Sequence, residues 1–585
     1  MSLLTTLARL QAVRSGHAEP LATVRHRHLV ARPMVVVPLA AAGEAGAPLA
    51  VMLGQDRDRP LLLTVPQPLD RDRRSVFLAD LAAALLPYLE QPGEDVELIS
   101  KEVKDPETGE KTEVVRELCT DAPQLLLPGT GGIEFLGLLG RATRFRRTAE
   151  DPDPGPYPAP ARVPLLGRWL THLRERAQVP GSSMLLAMTD LLSRHWATGQ
   201  SALEDQHLGA LLAWISPPDG LSGAQAALHA ETARDERGQL LCPPAGPATD
   251  PRFDSVLLVP ATARYDAARQ LTAPTAATGT TPIGTTPTAT TLTGTTPTGT
   301  SDTGMPAPDR SGTPTSGTDR AHDTVRAREQ DIADLLDSVL RPTWDRMWQG
   351  VDLLRTLHPA AHLPERWEGD RWSYTSHRDR LAAGEPPQPV RDDAVTAARK
   401  LAQREREQAK LDIHEALDDP LAMAEHRLAG EALAGTVLSV EPAYDTSGRS
   451  PKPRPLLTVR TADRLHAEPG RELHRAGGPS TQRAELVAAD PEQGTVTLRL
   501  VSGMGRKKEP EPGSVPEPGE RVCFTLFELT ARQSAPLPEP EETPWTHGGP
   551  PTPRAEQLPS EQLPAGQVPT ERLPVAATPP TPEGP

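Results

Sequence analysis

The residues best suited to touching a ligand lie in one run, Arg366-Trp-Glu-Gly-Asp-Arg-Trp-Ser-Tyr-Thr-Ser-His-Arg-Asp-Arg380. Here Trp367, Trp372 and Tyr374 interleave with Arg366, Arg371, Arg378 and Arg380. Rings stack on bases and guanidinium groups hold phosphates, so this composition suits contact with single-stranded nucleic acid. The run stands out because aromatic residues make up only 3% of the 585-residue chain. Glu368, Asp370 and Asp379 reduce its net charge, and a second reading is open: the tryptophans anchor helices by packing.

Further along, Gly448-Arg-Ser-Pro-Lys-Pro-Arg-Pro455 and Gly505-Arg-Lys-Lys508 form basic loops between strand-like segments. They add Arg449, Lys452, Arg454, Arg506, Lys507 and Lys508 as candidate phosphate contacts. Against this, residues 431–530 hold 13 basic and 14 acidic side chains, the balance of ordinary solvated loops. Glu102-Val-Lys104 has the spacing of a metal-dependent nuclease half-site, in which the carboxylate holds Mg²⁺ and the lysine steadies the nucleophile. No upstream aspartate completes that site, and alternating charges on a solvated hairpin face are the favoured account of it. His26-Arg-His28 and His358-Pro-Ala-Ala-His362 offer two imidazoles each, without the third and fourth ligands a metal needs. No metal, cofactor or catalytic residue is therefore expected.

Phosphate-loop, dinucleotide, zinc-protease and nucleophile-elbow patterns are all missing. The glycine cluster Gly129-Thr-Gly-Gly-Ile lacks the lysine that would reach phosphates and reads as a turn before a helix. A formal charge of -16 argues against a generally basic nucleic-acid coat, while leaving local basic surfaces possible. Only eight of the 62 basic residues are lysine, so a single arginine is a weak functional sign. Three widely spaced cysteines, Cys119, Cys242 and Cys523, form neither a disulfide framework nor a metal knuckle and fit a reducing compartment. With no secretory signal pattern and no apolar run long enough to span a bilayer, the expected location is cytoplasmic and no membrane partner is expected.

These residues have to be positioned by a multi-domain α+β chain. Residues 1–148 read as an α+β domain, with apolar strands at Met34, Pro48 and Pro60, a helix over Arg74–Leu89 and a hairpin around Asp105-Pro-Glu-Thr-Gly. Residues 160–266 read as a helical domain of three stripes, one of which carries Met184, Met188, Leu191, Leu192 and His195. A Thr/Gly/Pro pentad array over 272–318 has almost nothing apolar to bury and is expected to be a disordered linker that lets the two halves move independently. Beyond it come a helical segment over 324–430, a small β-barrel over 431–530 and a Pro-rich tail over 533–585, also expected to be disordered.

The stretches Ala434-Gly-Thr-Val-Leu-Ser-Val, Pro455-Leu-Leu-Thr-Val, Arg483-Ala-Glu-Leu-Val-Ala-Ala-Asp, Gly494-Thr-Val-Thr-Leu and Pro518-Gly-Glu-Arg-Val-Cys-Phe follow a long charged helix. Over residues 392–529 this pattern resembles the stalk helix and accessory 1B barrel of superfamily 1 helicases. The resemblance implies contact with single-stranded nucleic acid and a helicase as partner. Because the ATPase motifs are absent, it implies neither ATP hydrolysis nor translocation. The expectation is a non-catalytic, nucleic-acid-associated accessory protein. Two alternatives stand beside it: a protein-interaction scaffold, with the Pro-rich tail as a binding segment, and a metal-dependent nuclease.

Overall fold

The computed structural model describes residues 3–42, 46–104, 111–244, 246–272, 317–447, 451–478, 482–505 and 509–528. Most of the pentad linker and the whole Pro-rich tail lie outside these residues, as do Arg449, Arg506, Lys507 and Lys508.

Valine and leucine runs without polar alternation make strands buried on both faces. Four of them and the partly exposed edge strand β3 (Leu61–Thr64) form the central sheet; the four are β1 (Met34–Ala40), β2 (Pro48–Gly54), β6 (Leu125–Leu127) and β7 (Leu185–Ala187), and the order is β3-β2-β1-β6-β7. The β1–β2 and β2–β3 pairs are antiparallel, and β6 and β7 add in parallel on the other side. Two further strands, β4 (Val96–Lys104) and β5 (Lys111–Cys119), form a separate antiparallel hairpin.

Alternation divides the sheet between two cores. Met34, Val36, Val51, Leu53, Leu125 and Leu127 point to one side. There they pack under α2 (Arg71–Glu90), α3 (Thr130–Thr143) and α4 (Val163–Arg176). Val35, Val37, Leu39, Ala50, Met52 and Leu126 point to the other side. That face is covered by α5 (Met188–His195), α6 (Leu208–Ile215), α8 (Val259–Thr272) and α9 (Gly317–Thr356). The smaller helices α1 (Leu3–Ser15) and α7 (Gly223–Thr232) pack around Trp214 at the margin.

Two expectations change here. Leu185 to Ala187 belongs to a strand, Met184 precedes it, and the helix begins only at Met188. The free side of β6 accepts three residues of backbone pairing, and this tertiary gain outweighs the helical spacing of Met184 and Met188. The second change concerns the halves. Helix α9, which follows the linker, lays Ile332, Leu336, Leu340, Trp344, Met347 and Val351 into the same core as β1 and β2, so the described parts of the two halves share one hydrophobic interior. Pro342 sits inside this 40-residue helix without dividing it.

After α10 (Leu363–Ala382), α11 (Ala394–Asp418) and α12 (Pro420–Leu428), six strands close into a barrel. They are β8 (Ala432–Glu441), β9 (Leu456–Thr461), β10 (Glu472–Ala476), β11 (Arg483–Asp490), β12 (Thr495–Leu500) and β13 (Arg521–Thr525), in ring order β8-β9-β12-β11-β10-β13. Leu433, Val437, Leu457, Val459, Leu486, Leu498 and Phe524 fill the interior. Between β11 and β12, Asp490 accepts from the backbone N–H of Glu492 and Gln493, and Gly494 takes φ +63°, which closes a tight hairpin turn. Strand β10 escapes the sequence pattern. Among the described residues no helix is long and apolar enough to cross a membrane.

Candidate functional site

Helix α10 carries the aromatic and basic run, and its side chains turn toward the protein. Trp367 is buried, stacks on the His28 ring at 4.1 Å between centroids and donates Nε1–H to Asp121 at 3.0 Å. Tyr374 is fully buried and donates to the Leu89 carbonyl at 2.9 Å. Arg371 donates to the Cys119 carbonyl at 2.7 Å and pairs with Glu97. Arg378 donates to the Gly93 carbonyl at 3.1 Å and to Glu117 at 3.2 Å. Arg366 reaches the His26 carbonyl at 3.2 Å, while Trp372, half-buried, donates to Glu368 at 3.2 Å on its own helix. The spacing 367, 371, 374, 378 is one helical stripe, and here the stripe meets the 89–97 turn and the end of β5.

Asp370 drew no attention in the sequence except as a charge offsetting the arginines, yet it is the pivot of this helix. Its carboxylate is fully buried and accepts from Arg176 Nε at 2.8 Å, the Ser182 hydroxyl at 2.7 Å and the Ser183 backbone N–H at 2.7 Å. The signal available in advance was its position, three residues after Trp367 and four before Tyr374 on the buried stripe.

One histidine of each pair, His26 and His362, joins a polar seam. His26 Nε2 lies 3.2 Å from Asp419, which also accepts from Thr23 N at 2.8 Å, Thr23 Oγ1 at 3.0 Å and Leu421 N at 2.9 Å. Burial would raise the Asp419 pKa, but these hydrogen bonds, led by His26, hold it at about 2. His362 Nδ1 meets Asp418 at 2.5 Å and its ring stacks on His414 at 4.4 Å. This seam ties the start of α12, and with it the barrel, to the amino-terminal segment. Among the described residues no group of three or more His, Cys, Asp or Glu side chains could hold a metal ion. Glu102 stands opposite Glu113 and Lys104 opposite Lys111 in the hairpin register. The glycine cluster caps α3 at Gly129, and a Cβ on Gly132 would lie 2.8 Å from Leu127, so tight packing against β6 explains that glycine.

Lys452 lies in a short bridge with Asp445, and the Arg454 guanidinium donates to the Pro453 carbonyl at 3.2 Å. The cationic feature the sequence did not single out is on the barrel wall. Thr436 on β8 stands directly between Arg460 on β9 and Arg521 on β13, and Arg460 in turn faces Thr495 on β12. Residues directly opposite across antiparallel strands share a face, so these four form one outward row. Two strand spacings separate the two arginine positions, roughly 9–10 Å. Both arginines are exposed, and neither makes a side-chain hydrogen bond or ion pair to the described residues. Their neighbours differ: Arg499 pairs with Glu485 at 3.3 Å, Arg483 with Glu472 at 3.0 Å and Arg427 with Asp463 at 2.7 Å. The row ends at Asp490, opposite Thr495. Strand β10 lies across the ring from β9 and lines a cleft of about 770 Å³ with Asp412 and Ile413 of α11. The Arg460 wall therefore faces away from the helix. Comparison of the chain with protein-family models, curated proteins and solved structures gives no match.

Proposed function

We propose that the chain is a non-catalytic, nucleic-acid-associated accessory protein that contacts single-stranded backbone through the outer wall of its barrel. The observation that carries this reading is the Arg521–Thr436–Arg460 row, two unpaired guanidinium groups flanking a hydroxyl on an exposed sheet. Such a surface recognises phosphate without reading sequence, and Lys452 and Arg454 extend cationic character along the chain that enters β9. The aromatic run of α10 supports the reading only indirectly, by fixing the body that carries the barrel. A helicase partner remains an implication of the resemblance, since the chain has no ATPase motif of its own.

The test is fluorescence anisotropy of the full chain with labelled single-stranded DNA and RNA across a salt series. Arg460→Ala with Arg521→Ala is expected to weaken binding and to lower the slope of log K against log salt by about 1.4, two phosphate contacts at about 0.7 each. No salt-sensitive binding by the intact chain overturns the reading and favours the scaffold. Mg²⁺-dependent cleavage lost in Glu102→Ala favours the nuclease.

A further inference from the structure

A cavity of about 350 Å³ opens between the first turns of α2, the last turn of α3 and the 156–160 loop leading into α4. One wall is apolar, built from Pro48, Leu78, Leu139, Ala142 and Val163. The lining also carries Arg71, Arg74, Arg146 and the Ser75 hydroxyl, against a single carboxylate, Asp72. That carboxylate is engaged: it accepts from Arg71 at 3.1 Å, while the Arg71 guanidinium lies over the Tyr157 ring, 3.6 Å from its centroid. Arg74 is half-buried and Arg146 exposed, and neither makes a side-chain hydrogen bond or ion pair to the described residues.

We infer that this cavity is a binding site for a small organic anion, a carboxylate carried on an apolar body. Two guanidinium groups without partners beside a hydroxyl supply the fork geometry that a carboxylate accepts. An inorganic anion would leave the apolar wall in contact with water, and a neutral apolar molecule would cover part of the arginines without compensating them. The volume is at the lower end of the range for ligand sites, roughly 300–1,000 Å³, which sets the ligand as small. The site lies on the amino-terminal body, apart from the barrel wall, and stands or falls without it.

Isothermal titration of the full chain with 4-phenylbutyrate, with 4-phenylbutanol as the uncharged counterpart, tests the assignment. The carboxylate is expected to bind once per chain with a dissociation constant below about 1 mM, and the alcohol at least about tenfold more weakly. Arg74→Met and Arg146→Met are each expected to weaken the carboxylate about tenfold, as a lost charged hydrogen bond does, and Ala142→Trp to abolish binding by filling the cavity. Thermal unfolding unchanged from the parent chain shows that each variant folds. No binding of the carboxylate, equal binding of the alcohol, or undiminished binding by both arginine variants overturns the proposal.

Discussion

Asp370→Ala is expected to cost about 3–5 kcal/mol of folding stability, the range for removing one partner from a buried ion pair. The carboxylate is fully buried, and its loss strands three donors at once: the Arg176 guanidinium, the Ser182 hydroxyl and the Ser183 N–H. Arg176 has only 11% of its side chain exposed, so it cannot easily recover its hydration. Against a typical total of about 5–15 kcal/mol, such a loss removes a large share of the stability. Asp370→Asn should fall short of the alanine effect, since its carbonyl oxygen still accepts while its amino group faces a donor. Asp379→Ala, an exposed carboxylate about two and a half helix turns further along and on the opposite face, should stay within about 0.5 kcal/mol. Urea unfolding followed by tryptophan emission reads all three, because Trp169 and Trp367 sit in the core that α10 closes. An alanine variant within about 1 kcal/mol of the parent chain would falsify the claim that this carboxylate locks the helix.

The same residue shows what the sequence could and could not reveal. Strand and helix types followed from period: the runs at Met34 and Pro48, the charged helix now bounded by Asp393 and Asp418, and the two-residue period after Gly435 all appear where the spacing placed them. These signals are local. The sharing of one interior by segments on both sides of the linker was not legible, because Ile332, Leu336 and Trp344 look alike whether they bury against each other or against β1 and β2. The aromatic and basic run was legible as composition but not as direction. Its face is decided by Leu89, Gly93 and Cys119, which offer backbone carbonyls to Tyr374, Arg378 and Arg371 from more than 250 residues away. The barrel row was hidden for a related reason. Arg460 and Arg521 are single arginines in an arginine-rich chain, and only the registers of β8 with β9 and of β8 with β13 set them on either side of Thr436.

Acidification should weaken the fold well above the carboxylate range, and buried histidines set the window. Burial, reinforced by Arg380 and Arg168, lowers the His377 pKa to about 3. Burial lowers that of His195 to about 4, with His26, Arg27 and Arg194 adding to it and the Leu191 carbonyl opposing it. Both rings are neutral in the folded chain and take up protons near pH 6.5 when unfolded, so the unfolded state binds more protons as pH falls from about 6.5 to about 4. Stability is therefore lost on going down through that window, by about 2 kcal/mol per group between pH 7 and 5, or about 4 kcal/mol for the pair. The Asp419 contribution has the same sign but a different range: with a pKa near 2, it is retained until pH drops below about 4. His377 is the better probe because its Nε2 finds no partner, its ring stacks on His172 at 4.1 Å, and it meets Trp169 edge-on at 4.7 Å. Leucine there keeps the apolar contacts and leaves no orphaned polar atom, so His377→Leu should remove about 2 kcal/mol of the stability lost between pH 7 and 5 and flatten the fall in urea midpoint accordingly. A midpoint that stays level across that interval in the parent chain, or a leucine variant that falls as steeply, would show that these imidazoles do not carry the acid sensitivity.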